Sequence, residues 1–359
     1  MTQDTGVKRK AGIRVGVRSL FPPLCALLIA GHVCVTALTY HHPTLSITAM
    51  SKILVVVGAT GQQGGSIVDT VLADPELSRE YIIRGTSRDP SSPSAKALAA
   101  RGVDIVPADF SDPESLQRAC TGAYIVFGNT TTIYDDHTYE HEVNHGRALV
   151  DAAVAVGVPF YIYSTLPNIS KISNGVLKWG GHFDGKEEVE QYIRSLPIRS
   201  AFIAPGSFMS NFHQTMTPRP MDDGTYALAS FVTPETQLPL IDTAGDTGKW
   251  VAAILVDFAK YEGKVLCCAT ALYSFTEIAE TMSRVSGKTV IYRQLPEEVW
   301  RGFLPPLMVD YIADMLKSFQ DYGYYGEGTE EKVRWSAEQA RGKLTTLDEY
   351  LKAHPLHLG

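Results

Sequence analysis

The sequence lacks several patterns that would place it at once in a familiar functional class. It has five cysteines, Cys25, Cys34, Cys120, Cys267 and Cys268, whose spacing matches no metal site and no disulfide framework, so we predict a reduced interior without a bound metal. Repeats of solenoid length and low-complexity tracts are missing, which leaves a repeat-type binding surface without support. Basic residues are not in excess: the formal net charge is −7, which argues against direct contact with nucleic acid.

The chain does have enough apolar residues for a large core, but its first fifty residues stand apart. An apolar stretch from Leu20 to about Leu38 follows a basic segment, which is typical of a signal peptide or a short membrane anchor. Pro22 and His32 interrupt this stretch, and Met50 directly precedes the first strand pattern. Residues 1–50 are therefore either a targeting or anchor segment or an extension that adds nothing to the fold. Unless an anchor is retained, we expect a cytoplasmic or nuclear protein.

One strand pattern runs straight into a glycine-rich turn. Residues 53–57 are continuously apolar, and glycines follow at Gly58, Gly61 and Gly64. Such a strand is typical of a parallel sheet buried on both faces, and the glycines let backbone N–H groups approach a pyrophosphate at the N-terminus of the next helix. Residues 66–72 then show a helical apolar period, so strand, turn and helix follow in the required order. A dinucleotide is therefore the leading ligand.

Strand and helix patterns alternate from residue 51 to residue 204. This rhythm predicts an α/β fold with a doubly wound, mostly parallel sheet of the Rossmann type. After Pro205 the alternation ends, with loops and short strands first and helical patterns later. We therefore predict a nucleotide-binding domain over residues 51–204 and a smaller α/β lobe over residues 205–359, packed on it, for a substrate or partner. Polar residues at the carboxyl ends of the strands should line the ligand crevice.

The residues at the end of the second strand indicate which dinucleotide is bound. Sites specific for NAD usually carry Asp or Glu there, whereas the 2′-phosphate of NADP calls for arginine. This chain has Thr86, Ser87 and Arg88, followed by Asp89. Because the arginine side chain can hold a phosphate with two hydrogen bonds, NADP(H) is the predicted cofactor. The Asp89 carboxylate would oppose binding if it pointed inward.

Four motifs together resemble the NmrA-like family. They are GATGQQGG at residues 58–65, TSRDP at 86–90, YIYS at 161–164 and, most specifically, HFDGK at 182–186. The family consists of atypical short-chain dehydrogenases and includes fungal nitrogen-regulation proteins, an NADPH-sensing redox protein and several reductases. The resemblance covers residues 51 to about 355 and implies a Rossmann fold with an NADP(H) site.

The resemblance also implies roles for individual residues. The 2′-phosphate should meet Arg88, and the adenine should lie near Asp109 and Phe110. The pyrophosphate should meet the backbone of the turn, at Gly58, Ala59, Thr60, Gly61, Gln62, Gln63 and Gly64. The nicotinamide and its ribose should lie against Thr130, Thr131, Lys186, Pro205, Phe208 and Met209.

The tyrosine of the Tyr-x-x-x-Lys pair that typical short-chain dehydrogenases use is absent. His182 stands in its place, four residues before Lys186 and on the same helix face, while Ser164 ends a strand where its hydroxyl could donate to a carbonyl. Because histidine titrates near neutral pH, His182 is a candidate general acid. The alternative is that these residues only shape the cofactor site.

Two functions remain open on the sequence alone. The first is an NADPH-dependent reductase of a small carbonyl, enone or imine compound in a biosynthetic pathway. The aromatic-rich stretch from Phe303 to Tyr325 would then form either a lid over the substrate or plain core. The second is a non-catalytic NADP(H) sensor that regulates a protein partner such as a transcription factor. We favour the reductase and leave the oligomeric state unassigned.

Overall fold

The computed structural model describes residues 51–358. The extension predicted over residues 1–50 lies outside the described residues, together with its apolar stretch, Cys25 and Cys34. The three cysteines within them, Cys120, Cys267 and Cys268, are buried free thiols. Across residues 51–358, each helix is too short or too polar to cross a membrane.

Up to residue 205 the chain alternates strands with helices, as its sequence pattern predicts. The strands are β1 (Lys52–Val56), β2 (Tyr81–Ser87), β3 (Asp104–Pro107), β4 (Ile125–Gly128), β5 (Phe160–Ser164) and β6 (Arg199–Pro205). The helices are α1 (Gln62–Ala73), α2 (Leu77–Glu80), α3 (Pro93–Ala99), α4 (Pro113–Cys120), α5 (Thr138–Ala155), α6 (Ile169–Ile172) and α7 (His182–Ser195).

After residue 205 the elements are shorter and their order is irregular. The strands are β7 (Ser207–Phe208), β8 (Arg219–Pro220), β9 (Tyr226–Ser230), β10 (Gln237–Ile241), β11 (Val265–Cys268), β12 (Ala271–Ser274) and β13 (Val290–Gln294). The α-helices are α8 (Thr243–Val256), α9 (Phe258–Tyr261), α10 (Phe275–Ser286), α11 (Glu297–Arg301), α12 (Pro306–Tyr322), α13 (Thr329–Gln339) and α14 (Leu347–Ala353). A 3₁₀ turn spans Met209–His213. The sequence patterns predict neither β11 nor α13.

Seven strands form one parallel sheet in the order β11-β6-β5-β4-β1-β2-β3. This arrangement confirms the predicted doubly wound Rossmann fold. From β1 the chain runs outward through β2 to β3, and β4 then begins the other half on the opposite side of β1. In such a sheet the ligand crevice opens at the carboxyl ends of the strands where the order reverses, here β1 and β4.

The continuous apolar pattern of β1 follows from its place at the centre of this sheet. Leu54, Val55 and Val56 are all inaccessible to solvent. Leu54 and Val56 pack with α1 and α8 on one face, whereas Val55 packs with α4, α5 and α7 on the other. Successive side chains of a strand point to opposite faces, so a strand covered on both sides needs apolar residues throughout.

The segment after residue 205 contributes to both parts of the molecule. β11 pairs with β6 at one edge of the large sheet, and α8 packs against α1. The helices approach closely because a Cβ at Gly248 would lie 2.3 Å from the carbonyl oxygen of Ser66. The remaining elements form a smaller lobe with its own core and two three-stranded sheets, β12-β10-β7 and β13-β9-β8. Residue 205 thus marks the end of β6 rather than a division between contiguous domains.

Candidate functional site

The glycine turn connects the carboxyl end of β1 to α1. Gly58 has a φ of +68°, a left-handed conformation that favours glycine, and its carbonyl accepts a hydrogen bond of 2.9 Å from the N–H of Gly61. A Cβ at Gly64 would lie 2.3 Å from the Gly58 oxygen, so α1 can approach the turn only with glycine there. Within the described residues no side chain caps the first turn of α1. Its N–H groups are therefore available to an anionic ligand.

Two glutamines at the start of α1 connect the turn to other parts of the crevice. The Oε1 of Gln63 accepts a hydrogen bond of 2.9 Å from the hydroxyl of Ser164, the candidate carbonyl donor at the end of β5. The Oε1 of Gln62 accepts one of 3.2 Å from Ser210 in the 3₁₀ turn. Around them Ala59 is buried, and Thr60, Gly61 and Gln62 are exposed. The structure thus brings Ser164 against the turn, with its hydroxyl engaged.

The end of β2 lies beside the turn and carries the candidate phosphate ligand. The hydroxyl of Thr86 accepts a hydrogen bond of 3.2 Å from the N–H of Gly58. Arg88 is exposed and forms no ion pair with any residue from 51 to 358. The Asp89 carboxylate accepts hydrogen bonds of 2.8 and 2.6 Å from the N–H and hydroxyl of Ser91. Asp89 is therefore occupied by its own loop, and the Arg88 guanidinium is available for an anion.

Asp109 and Phe110, predicted to lie near the adenine, follow β3. Asp109 accepts hydrogen bonds of 2.7 and 2.8 Å from the hydroxyl and N–H of Ser111, and these bonds, with smaller effects from Arg88 and His145, hold its pKa below the ordinary value. The ring of Phe110 stacks on that of His145, with centroids 4.9 Å apart. His145 was not among the predicted residues, although the spacing of four residues between His137, just before α5, and His141 and His145 within it is a visible pattern.

Lys186 is the centre of a buried polar network. Its Nζ donates to the hydroxyl and carbonyl oxygens of Thr130, at 2.5 and 3.3 Å, and to Oε2 of Glu142, at 2.9 Å. Burial alone would raise the pKa of the Glu142 carboxyl, but the charge of Lys186 and the hydroxyls of Thr130 and Thr132 outweigh it and hold that pKa below its ordinary value. Sequence reasoning missed Glu142, although an acidic residue on the buried face of α5 is itself a signal of pairing.

His182 is buried at the start of α7. Its ring contacts those of Tyr134 and Phe183, at centroid distances of 5.3 and 4.9 Å, and its Nδ1 has no hydrogen-bond partner within residues 51–358. Burial lowers its pKa from 6.5 to about 4. The imidazole is therefore neutral at neutral pH, in contrast to the expectation that it would titrate there as a general acid.

The remaining residues predicted near the nicotinamide divide into open and buried ones. Thr131 is exposed, and Phe208 is half-buried. Pro205 is buried, and its carbonyl accepts a hydrogen bond of 3.1 Å from the hydroxyl of Tyr324. Met209 is inaccessible to solvent because the 3₁₀ turn carries it into the core of the smaller lobe. Thr131 and Phe208 are thus open to a ligand, whereas the Met209 side chain is not.

Comparison with known proteins connects these features to one family. The family model described as the NmrA-like family matches residues 50–351. The chain belongs to the NmrA-like family. An NmrA-like family domain-containing protein of Dictyostelium discoideum is 31% identical, over 84% of this chain and 98% of that protein. The NmrA-like family domain-containing oxidoreductase ptmS of Penicillium ochrochloron is 28% identical, over 71% of this chain and 79% of that protein.

The NmrA-like fold is also found among solved structures. NmrA, described as a negative transcriptional regulator, has a TM-score of 0.72 at 23% identity, over 85% of this chain and 96% of that one. Structures of NmrA in complex with NAD and with NADP give TM-scores of 0.70 and 0.69. This likeness supports the architecture of β1 to β6 and their helices.

The HFDGK motif of this NmrA-like protein has a structural explanation at each position. His182 and Lys186 are both buried in the site. Phe183 packs against the ring of Tyr324 in the core. The Asp184 carboxylate accepts hydrogen bonds from the N–H of Ile169, at 2.7 Å, and the hydroxyl of Ser170, at 2.5 Å, which fixes α6. A Cβ at Gly185 would lie 2.8 Å from the Cβ of Glu142, so glycine allows α5 and α7 to approach. The motif therefore brings Lys186 to Glu142.

The end of the aromatic-rich stretch is core and not a lid. Tyr324 and Tyr325 are buried, and their hydroxyls donate to the carbonyl oxygens of Pro205 and Ala204, at 3.1 and 2.9 Å. These bonds attach the smaller lobe to the end of β6. Phe303, at the start of the stretch, remains 49% exposed.

Proposed function

We propose that this chain binds NADP(H) and uses it to reduce a small carbonyl, enone or imine compound. The observation that carries the proposal is the pair of neighbouring strand ends at β1 and β2. The first leads into an uncapped helix N-terminus, and the second carries Arg88 with no ion-pair partner within the described part of the chain. The Gly58–Thr86 hydrogen bond joins the two. A dinucleotide with an extra phosphate matches this donor set.

The relatives support the same ligand class. NmrA has been solved in complex with NAD and with NADP, and ptmS carries the name of an oxidoreductase. Since this chain belongs to their family, a pyridine nucleotide is the ligand we propose for the crevice. Hydride transfer to an organic compound is the reaction we propose for it.

The residues of the chain would bind and orient, while the bound nucleotide would supply the hydride. Arg88 would hold the 2′-phosphate, and the N–H groups at the start of α1 would hold the pyrophosphate. Asp109 and Phe110 would adjoin the adenine. His182 is neutral, so it would orient the substrate oxygen through a hydrogen bond, and solvent water would supply the proton that completes the reduction.

A second candidate function is a redox sensor that regulates a protein partner. It is favoured by the hydrogen bonds and the charge of the three candidate catalytic residues. The Ser164 hydroxyl is bound to Gln63, the Lys186 ammonium is bound to Thr130 and Glu142, and His182 is neutral. NADPH oxidation in the presence of a panel of carbonyl, enone and imine compounds decides between the two. Turnover of any compound supports the reductase. Partner binding that differs between NADP+ and NADPH, with no turnover, supports the sensor.

Charge reversal at one residue tests the cofactor assignment. Arg88→Glu should weaken NADPH binding roughly 30-fold or more, because a charge-assisted contact to phosphate contributes about 2 kcal/mol. NADH binding should hardly change. Isothermal titration of wild type and variant with both nucleotides measures the difference. Arg334→Glu on α13 is the matched control, since α13 packs beside β11, across the sheet from β2. Unchanged NADPH affinity in Arg88→Glu would contradict the assignment.

A further inference from the structure

An open groove lies between α10 and β13 in the smaller lobe, and none of its lining residues belongs to the candidate nucleotide site. Its volume is about 810 Å³. Thr276, Ala279 and Glu280 belong to the α10 wall, and β13 forms the opposite wall. The Ser283 hydroxyl closes one end, because it accepts from the N–H of Val290 and donates to its carbonyl, at 2.8 Å each. The groove therefore runs along β13 and is bounded on both sides.

The edge of β13 that faces away from β9 has unpaired backbone groups. Alternate residues of β13 bond to β9, beginning with the carbonyl of Thr289 and ending with the N–H of Leu295. The backbone N–H and carbonyl groups of Tyr292 and Gln294 therefore point away from β9, and they make no hydrogen bond within residues 51–358. Both residues line the groove. Such an edge is a template for an added strand.

The shape of the groove favours a single extended segment over a second copy of this chain. α10 packs alongside β13, and the Ser283–Val290 bonds hold the two elements together at one end. An added strand would lie about 4.8 Å from β13, between the strand and the helix. The β13 edge of a second copy carries its own α10, which would have to occupy the same space.

Two charges beside the groove indicate the side chains of such a segment. Glu280 and Lys288 are exposed and form no ion pair with any residue from 51 to 358, whereas Arg284 is paired with Asp348. Eight residues along a helix correspond to about 12 Å, and four residues of an extended strand span about 13 Å. Strand residues four positions apart also point to the same side. An acidic and a basic residue at this spacing would match Lys288 and Glu280.

We propose that this groove binds an extended segment of a protein partner, which adds to β13 as a strand. The segment carries an acidic residue beside Lys288 and a basic residue four positions away beside Glu280. The residue midway between them faces the small side chains of Ala279 and Ser283 on α10, which leave room for a β-branched apolar residue. This interaction surface is independent of the proposed NADP(H) function.

Two fluorescent five-residue peptides, DTVTK and KTVTD, acetylated and amidated, test the surface on the full chain. They present the same charges for the two possible strand directions, so one should bind at least about fivefold more tightly than the other by fluorescence anisotropy. Methylation of the peptide nitrogens of both threonines, or of the valine and the last residue, blocks the donors on one edge of the strand. Only one of these two patterns should abolish binding, because a strand bonds to its neighbour along one edge.

Reversal of both charges tests the match between the groove and the peptide. Glu280→Lys/Lys288→Glu should exchange the preference, so that the weaker peptide becomes the tighter one by about fivefold. The matched control is Glu338→Lys/Lys260→Glu, which exchanges two exposed charges that form no ion pair within the described residues and should leave the preference unchanged.

Three results would overturn the proposal. The first is that neither peptide binds at concentrations up to about 1 mM. The second is binding that both methylation patterns or neither pattern abolishes, or whose preference the reversed charges do not change, since the peptide would then not be an added strand in this groove. The third is a dimer in sedimentation that Glu280→Lys/Lys288→Glu dissociates, because a second copy would then occupy the groove. Failure to bind NADPH would bear on the proposed function alone.

Discussion

His182 and Glu142 show how surroundings set the charge of a candidate site residue. Both are buried, yet burial lowers the pKa of His182 to about 4, while the Lys186 charge and two threonine hydroxyls keep Glu142 ionised. The i,i+4 spacing of His182 and Lys186 is readable from the sequence, and the structure keeps both on α7. The burial of these two side chains and their hydrogen-bond partners cannot be predicted from their spacing in the sequence. For this reason we predicted that His182 would titrate near neutral pH, whereas its imidazole is neutral there.

The depressed pKa of His182 predicts a pH-dependent stability. The unfolded histidine takes up a proton near pH 6.5, but the folded one does so only near pH 4, so folding loses free energy as pH falls between these values. When the pH falls from 7 to 5, the protonation of His182 in the unfolded chain should lower the free energy of unfolding by about 2 kcal/mol. His182→Phe keeps the aromatic contacts and should lack this component. Urea unfolding at several pH values measures it.

The control for this prediction is His137→Gln, which changes an exposed histidine directly before α5. It should follow the wild-type dependence on pH. If the His182→Phe and wild-type curves remained parallel between pH 7 and pH 5, the histidine would not be buried in a neutral state.

At the scale of elements, the glycine turn and α1 were predictable because their constraint is local. The apolar run, the three glycines and the helical period lie within about twenty residues, and their order along the chain indicates a strand, a turn and a helix. β11 and α13 depend instead on distant partners: β11 is a four-residue strand that pairs with β6, and α13 is a polar helix that packs on β11. Whether such elements form depends on tertiary contacts, which cannot be seen in the sequence.

Two neighbouring glycines of α1 offer a test of this local constraint. Gly64→Ala places a Cβ 2.3 Å from the backbone oxygen of Gly58, so the turn must move away from α1. We expect a loss of about 1–3 kcal/mol in the free energy of unfolding and a marked loss of NADPH affinity. Gly65→Ala is the matched control, because its Cβ would meet the nearest atom at an ordinary 3.7 Å. Unfolding curves and nucleotide titrations of both variants measure the contrast, and equal behaviour would refute the close approach.

For the whole molecule, the decisive feature is that the chain returns to the large sheet after residue 205. α8 and β11 pack into the Rossmann layers, and the intervening segments build the smaller lobe. Tyr324 and Tyr325 then bind the end of β6 from the lobe side. The parallel sheet itself was predictable from alternating strands and helices, whereas this return was not, because it depends on pairing between β6 and a strand about sixty residues later.

This interlocked chain should unfold as one unit. Neither the large sheet nor the smaller lobe can lose its structure without exposing surface that the other buries, so calorimetry of the full chain should show one main transition for residues 51–358. NADPH at about 100 times its Kd should move that transition upward as a whole, by about 2.7 kcal/mol in stability. Fluorescence of Trp250 in the large-sheet core and of Trp300 in the lobe core, compared through Trp250→Phe and Trp300→Phe, should report the same midpoint. Two transitions, of which NADPH moves only one, would show that the lobe folds independently of the sheet and that its return contributes little to the stability of the nucleotide site.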